Sequence, residues 1–119
     1  MHDDHKLEQV ALGRLQRLGG VSLLREMLQL FLKHAPERIR AAREASLEGD
    51  FGKVEQAVHS LKSSAGNVGA RSIQSLAESI ERMAVGAEVE GIAPLVLDLQ
   101  MAWERLEPLV RKTIEGLDQ

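Results

Sequence analysis

One stretch of the chain combines residue types that could do chemistry on a protein surface. His59 is followed three and four positions later by Lys62 and Ser63. A neutral imidazole, with an ordinary pKa of about 6.5, is a competent nucleophile near neutral pH. An ammonium group one helical turn away could stabilise charge that develops on a phosphoryl oxygen. The spacing therefore makes His59 a candidate nucleophile and Lys62 its candidate charge partner.

The apolar residues around this stretch predict a helix that carries His59 on its outer face. They recur at steps of three and four residues: Phe51, Val54, Val58, Leu61, Ala65 and Val68. At about 100° per residue, His59 lies about 130° from the mean direction of this stripe, Ser63 about 170° and Lys62 about 70°. We therefore expect an exposed imidazole beside a lysine whose stem lies on apolar surface.

Small residues continue the same surface. Ser63, Ser64 and Gly66 stand where exposed helices usually carry pairs of Glu and Lys, and small side chains let another protein approach the backbone closely. A glycine inside a helix costs about 0.5–1 kcal/mol relative to alanine, so Gly66 requires a compensating reason. The plainer interpretation is a solvated helix that happens to carry a histidine. The geometry alone leaves both interpretations open.

Composition predicts that the elements around this surface are helices. The chain of 119 residues has 18 Leu, 13 Ala, 13 Glu and 10 Arg against 9 Val, 5 Ile and 1 Thr. Leu, Ala, Glu and Arg favour helices, whereas Val, Ile and Thr favour strands. With 3% aromatic residues and no Tyr, a sheet would lack its usual cross-strand pairs. The fold class predicted is all-α.

Glycine, proline and aspartate divide the chain into five helical segments. Gly19-Gly20 ends a short first segment, and Pro36 lies inside a long second one, which we expect to be one bent helix. Asp50 is a candidate N-cap for the third segment. The boundaries predicted are about 7–18, 21–49, 50–69, 70–85 and 89–116. Pro94 suits the first turn of the last segment, and Pro108 should bend it.

Four amphipathic segments of this length, joined by short loops, are typical of an antiparallel four-helix bundle. The short first segment would pack across one end or side through Leu7, Val10 or Ala11, Leu15 and Leu18. We expect residues 1–119 to form a single domain with its core at about 7–115. A closed bundle leaves no obvious dimer stripe, so the expected state is a monomer.

Charge and composition exclude several classes of function. A net charge of −3 and the absence of Cys argue against a nucleic-acid surface and thiolate chemistry. No apolar run approaches the roughly 20 residues of a membrane span, and the first five residues cannot begin a signal peptide. The paired Glu-x-x-His sets of di-iron bundles are missing, as is any glycine-rich nucleotide loop. We expect a cytoplasmic protein without a metal, a membrane partner or kinase activity.

The stretch from His59 to Ala70 resembles the signature of histidine-containing phosphotransfer (HPt) domains. The family pattern is His-x-Leu-Lys-Gly-Ser-(Ala/Ser), followed after a few residues by Gly-Ala or Gly-Leu; here Gly69-Ala70 closes it. Leu76 to Glu81 is similar to the family's Leu-Cys-x-x-Leu-Glu segment. Leu18-Gly19-Gly20 looks like its usual entry to the long second helix. The resemblance covers about residues 7–115.

The resemblance implies a phosphorelay intermediate. His59 would accept a phosphoryl group on Nε2 from the aspartyl phosphate of a response-regulator receiver domain and pass it to a second receiver. Lys62 would neutralise the phosphoryl oxygens, and Gly69 would permit the turn between the third and fourth segments. The residues implied to form the docking surface for receivers are Gln56, Ser63, Ser64, Gly66 and Asn67.

The resemblance also names partners. They would be receiver domains, one of a hybrid histidine kinase and one of a downstream regulator, with Mg²⁺ bound by the receiver and no cofactor bound by this chain.

Two residues depart from the family pattern. Ser63 replaces the usual Gly, and Glu81 stands where members can carry a Gln that joins the phosphohistidine hydrogen-bond network. The alternative function is a helical adapter that docks a receiver or kinase without accepting phosphate.

Overall fold

The computed structural model describes residues 6–118, which form four α-helices and no strand. The helices are α1 (Gln9–Glu48), α2 (Phe51–Asn67), α3 (Arg71–Val85) and α4 (Ile92–Leu117), with a 3-10 turn (Val89–Gly91) before α4. α2 packs against α1 and α3, and α4 packs against the same two helices. This arrangement is the predicted four-helix bundle.

The predicted break at Gly19-Gly20 is a kink inside α1. Gly19 has φ −151° and ψ 16°, and Gly20 has φ 73° and ψ −171°, so neither is helical. The kink separates a short N-terminal segment (residues 9–18) from a long segment (residues 21–48). The long segment continues through Pro36 without a second non-helical residue, as expected for one helix.

Local chemistry explains why α1 ends and α2 begins. Gly49 takes the left-handed conformation, with φ 74°, and the amide of Asp50 donates to the carbonyl of Ala45 at 2.9 Å. The side chain of Asp50 accepts a hydrogen bond from the amide of Lys53 at 3.1 Å. Asp50 is thus the N-cap of α2, as predicted, and satisfies a donor that a helix start would otherwise leave free.

The core runs the length of the bundle and follows the predicted stripes. The apolar stripe of α2 is buried from Val54 to Val68, with Phe51 half-buried at its start. Phe31 of α1 and Trp103 of α4 meet edge to face, with ring centroids 5.3 Å apart and an interplanar angle of 90°. Trp103 therefore packs in the α1–α4 interface, as expected of a core residue.

The N-terminal segment packs differently from its predicted pattern. Leu7, Leu12 and Leu15 are buried, but Val10 and Leu18 are 79% and 72% exposed. The start of the segment contacts the α2–α3 turn, where the amide of Glu8 donates to the carbonyl of Gly69, and only one narrow side of the segment is buried. The assignment of Leu18 to the core, and of Val10 as the alternative to Ala11, was therefore wrong.

Candidate functional site

His59 stands on the solvent side of α2, as its angle from the apolar stripe predicts. Its side chain is 63% exposed, while its neighbour Val58 and the next stripe residue, Leu61, are fully buried. The buried residues fix the rotation of α2 about its axis. The backbone of His59 is therefore held rigidly while the imidazole remains accessible to another protein.

Glu81 of α3 connects the imidazole with the nearby ammonium group. Its Oε2 lies 2.5 Å from Nδ1 of His59, and its Oε1 lies 2.6 Å from Nζ of Lys62. The side chain of Lys62 is 29% exposed and that of Glu81 is 16% exposed, so both are more buried than the imidazole of His59. One carboxylate of α3 thus contacts both the imidazole and the ammonium group of α2.

Electrostatics keeps this carboxyl group ionised. The hydrogen bond from Lys62, assisted by the one from His59, holds the pKa of Glu81 below its usual value despite partial burial. The same hydrogen bond to Glu81 raises the pKa of Lys62, with further support from the charge of Glu78. A carboxylate and an ammonium ion therefore face each other at neutral pH.

The ionised carboxylate determines which nitrogen of His59 carries the proton. A carboxylate can only accept hydrogen bonds, so Nδ1 must be the donor. In the neutral ring the lone pair then lies on Nε2, at the opposite edge of the imidazole. This tautomer has its unprotonated nitrogen away from Glu81, which is the arrangement that a nucleophilic imidazole requires.

A shallow depression lies beside Lys62, between α2, α3 and the N-terminal segment of α1. Three predicted docking residues line it, namely Ser63, Gly66 and Asn67. Arg14 of α1 and Gln74 of α3 also line it. Arg14 and Gln74 could not be identified from the sequence, because the packing of the helices decides which residues of α1 and α3 face α2.

Two predicted docking residues lie elsewhere. The hydroxyl of the half-buried Ser64 donates to the carbonyl oxygen of Leu61 at 3.1 Å, within its own helix. Gln56 is exposed one turn before His59 and lines a separate depression against α1, together with Arg38 and Lys53. The structure therefore places three of the five docking candidates beside Lys62 and leaves Ser64 and Gln56 outside that depression.

The two glycines of the motif both lie close to other groups. A Cβ atom on Gly66 would lie 2.9 Å from Nε2 of Gln74, so the glycine lets this side chain of α3 lie across α2. Gly69 has φ 76°, and a Cβ atom there would lie 2.6 Å from the amide nitrogen of Glu8. That amide donates to the carbonyl of Gly69 at 2.9 Å, which ties the start of the chain to the α2–α3 turn.

Neither a metal site nor a membrane span is found in the described part of the chain. Residues 6–118 contain no group of three or more His, Asp or Glu side chains placed to hold a metal ion. Over the same residues, no helix is both long and apolar enough to cross a membrane.

Comparisons with known proteins identify the family of this chain and support its fold. A search of curated proteins finds no match. Among solved structures, the chain is similar to histidine-containing phosphotransfer protein B (HptB) from Pseudomonas aeruginosa PAO1, with a TM-score of 0.87 and 21% sequence identity. The similarity covers 97% of this chain and 98% of that one. The family model described as "Hpt domain" matches residues 26–118, so the chain belongs to the Hpt domain family.

Proposed function

We propose that His59 accepts a phosphoryl group on Nε2 from the aspartyl phosphate of one receiver domain and passes it to another. Hpt domains are phosphocarriers of two-component phosphorelays and interact with receiver domains. The observation that carries the assignment to His59 is its hydrogen bond to Glu81, which in the neutral imidazole puts the lone pair on Nε2 of an exposed ring.

The transfer needs little machinery from this chain. The Oδ–P bond of the aspartyl phosphate breaks, its electron pair returns to the receiver's carboxylate, and the lone pair of Nε2 forms the new N–P bond. Nδ1 keeps its proton, so the ring becomes an imidazolium whose charge Glu81 balances. Lys62 lies one helical turn from His59 and would neutralise the phosphoryl oxygens. Mg²⁺ is expected on the receiver.

The surface around His59 would be the docking site. The depression beside Lys62 is lined by small or polar side chains, including Ser63, Gly66 and Asn67, which would keep it low enough for a receiver. The hydroxymethyl group of Ser63, in place of the usual glycine, would tune which receivers fit. Ser64 and Gln56 would lie at the margin. We further propose a cytoplasmic monomer that serves a hybrid histidine kinase and a downstream regulator, without kinase activity of its own.

The test is phosphotransfer from a panel of phosphorylated receiver domains to the wild type and to His59→Gln. His34→Gln is the matched control, because His34 lies on α1 and pairs with Glu37 at 3.0 Å. We expect an acid-labile, base-stable label on the wild type and on His34→Gln. His59→Gln should remain folded, since the position is exposed, and should carry no label.

Two results would contradict the proposal. Label that persists on a folded His59→Gln variant would place the phosphoryl group on another residue. Absence of label from every receiver, while a receiver still binds the folded wild type, would favour the adapter that docks without accepting phosphate.

A further inference from the structure

Phosphorylation changes what the imidazole of His59 needs from its neighbours. Once Nε2 is bonded to phosphorus, a ring that keeps its Nδ1 proton is a cation. Oε2 of Glu81 lies 2.5 Å from this nitrogen. Because a carboxylate stabilises a cation that donates to it, Glu81 favours the protonated phosphohistidine over the deprotonated one.

Protonation of Nδ1 decides whether the phosphoryl group can leave. When the N–P bond of a protonated ring breaks, the leaving group is neutral imidazole. When the ring has lost its Nδ1 proton, the leaving group is imidazolate, a far stronger base and therefore a poorer leaving group. Outward transfer to a receiver thus proceeds from the protonated phosphohistidine.

We infer that Glu81 is a positioning residue that holds the Nδ1 proton of phosphorylated His59 and so sets the upper pH limit of outward transfer. The inference rests on the proposed function. In the step itself, the N–P bond breaks, its electron pair returns to Nε2, and an O–P bond forms on the receiver's aspartate. Nδ1 keeps its proton throughout, so the transfer takes up and releases no proton at His59.

Other charged groups, on Lys62 and around the depression beside it, act on the ring in both directions. Lys62 of α2 shares the carboxylate of Glu81, and Arg14 of α1 lines the depression beside it; both cations oppose protonation of the ring. Glu78 of α3 lines the same depression and favours it. Among the contacts of residues 6–118, the bond to Glu81 is the one that reaches Nδ1 of His59, so its charge should dominate.

The test compares wild type with Glu81→Gln, which keeps a hydrogen-bond acceptor beside Nδ1 but removes the charge. The matched control is Glu37→Gln, which removes the carboxylate that contacts Nδ1 of the other described histidine, His34. The phosphorylated proteins are mixed with one excess receiver between pH 6 and 9.5, and the rate of label loss is measured. Each variant's rate is divided by the wild-type rate, so the receiver's own pH dependence cancels.

We expect the rate ratio for Glu81→Gln to fall with rising pH between the phosphohistidine pKa of the variant and that of the wild type, by up to tenfold per unit, and to be constant above both. The ratio for Glu37→Gln should stay constant. Nitrogen-15 NMR of the phosphorylated ring should show Nδ1 losing its proton at least about one pH unit lower in Glu81→Gln than in the wild type. Glu81→Asp, which restores the charge, should recover part of the shift.

The outcomes separate this inference from the proposed function. If His59 of the wild type accepts no label, the proposed function fails and the inference falls with it. If the proteins label normally but the Glu81→Gln ratio and the ring titration match those of the wild type, only the role of Glu81 is overturned. A ratio that is low but independent of pH would also overturn it, because that result indicates a purely structural role.

Discussion

At the scale of single residues, the ammonium group at the site already has a partner before any phosphoryl group arrives. Nζ of Lys62 lies 2.6 Å from Oε1 of Glu81, on a side chain that is still partly exposed. A phosphoryl group on Nε2 of His59 would offer this cation a second anion. On the proposed function, Lys62 would share its charge between Glu81 and the phosphoryl oxygens, so we expect its effect on transfer to be limited.

Lys62→Ala should slow phosphotransfer by about 10- to 100-fold. Removing one hydrogen-bond donor from a buried catalytic site slows a reaction by about 100- to 1000-fold, and we expect a smaller effect here because Lys62 is partly exposed and shared with Glu81. Stability should change little, because the pair is near the surface. Lys53→Ala is the control, since this exposed lysine lies in the first turn of the same helix. Transfer kinetics and urea denaturation measure the two effects. Equal rates for both variants would remove Lys62 from the site.

Glu81 should also make stability depend on pH in acid. Its pKa is lowered by Lys62 and His59, so its ion pair stabilises the fold above the ordinary carboxyl pKa and loses this effect as pH falls through the lowered value. The difference in unfolding free energy between wild type and Glu81→Gln should therefore be constant near neutral pH and shrink below about pH 4. Urea denaturation at pH 3 to 7 measures it. A difference that is unchanged at pH 3 would contradict the ion pair.

At the scale of elements, the α2–α3 turn depends on one glycine for two reasons. Gly69 has positive φ, and the backbone of Glu8 fills the space that a Cβ atom would take. Gly49 has a nearly identical φ, but nothing lies within 4 Å of its Cβ position. The two glycines therefore differ in steric contact and share the same conformational strain.

Gly69→Ala should destabilise the fold more than Gly49→Ala. In the control, Gly49→Ala, the free energy of unfolding falls only by the strain of a left-handed alanine, about 1–2 kcal/mol. Gly69→Ala introduces the same strain and must also displace the chain around Glu8. We expect an additional loss of about 1 kcal/mol or more, within the range of steric effects in a packed structure. Urea denaturation of both variants measures the difference. Equal losses would mean that the start of the chain contributes nothing to this turn.

The elements themselves were predictable wherever the deciding interaction is local. The end of α1 at Gly49, the cap at Asp50 and the exposure of His59 follow from backbone preference and from one helix's own periodicity. The N-terminal segment was harder, because Leu18 has helical spacing but lies next to the kink and faces solvent. Periodicity identifies a side of a helix, and only packing determines how wide the buried side is.

At the scale of the whole molecule, the contacts that complete the site join different helices. The bond between Glu81 and His59 connects residues 22 positions apart, and it forms only if α3 lies against α2 at one longitudinal register. The position of Gln74 over Gly66 depends on the same register. A sequence motif locates the histidine and the lysine on α2, but the carboxylate that links them comes from the packing of the bundle.

The bundle also supplies its own optical reporter. Trp103 is the single tryptophan, and the chain has no tyrosine, so nearly all near-ultraviolet absorption and intrinsic fluorescence come from one indole. That indole is buried against Phe31 between α1 and α4, whereas His59 stands on α2 beside α3. Tryptophan emission therefore reports loss of the core, and the proposed phosphorylation or receiver docking at His59 could be followed independently of it by a label on the partner.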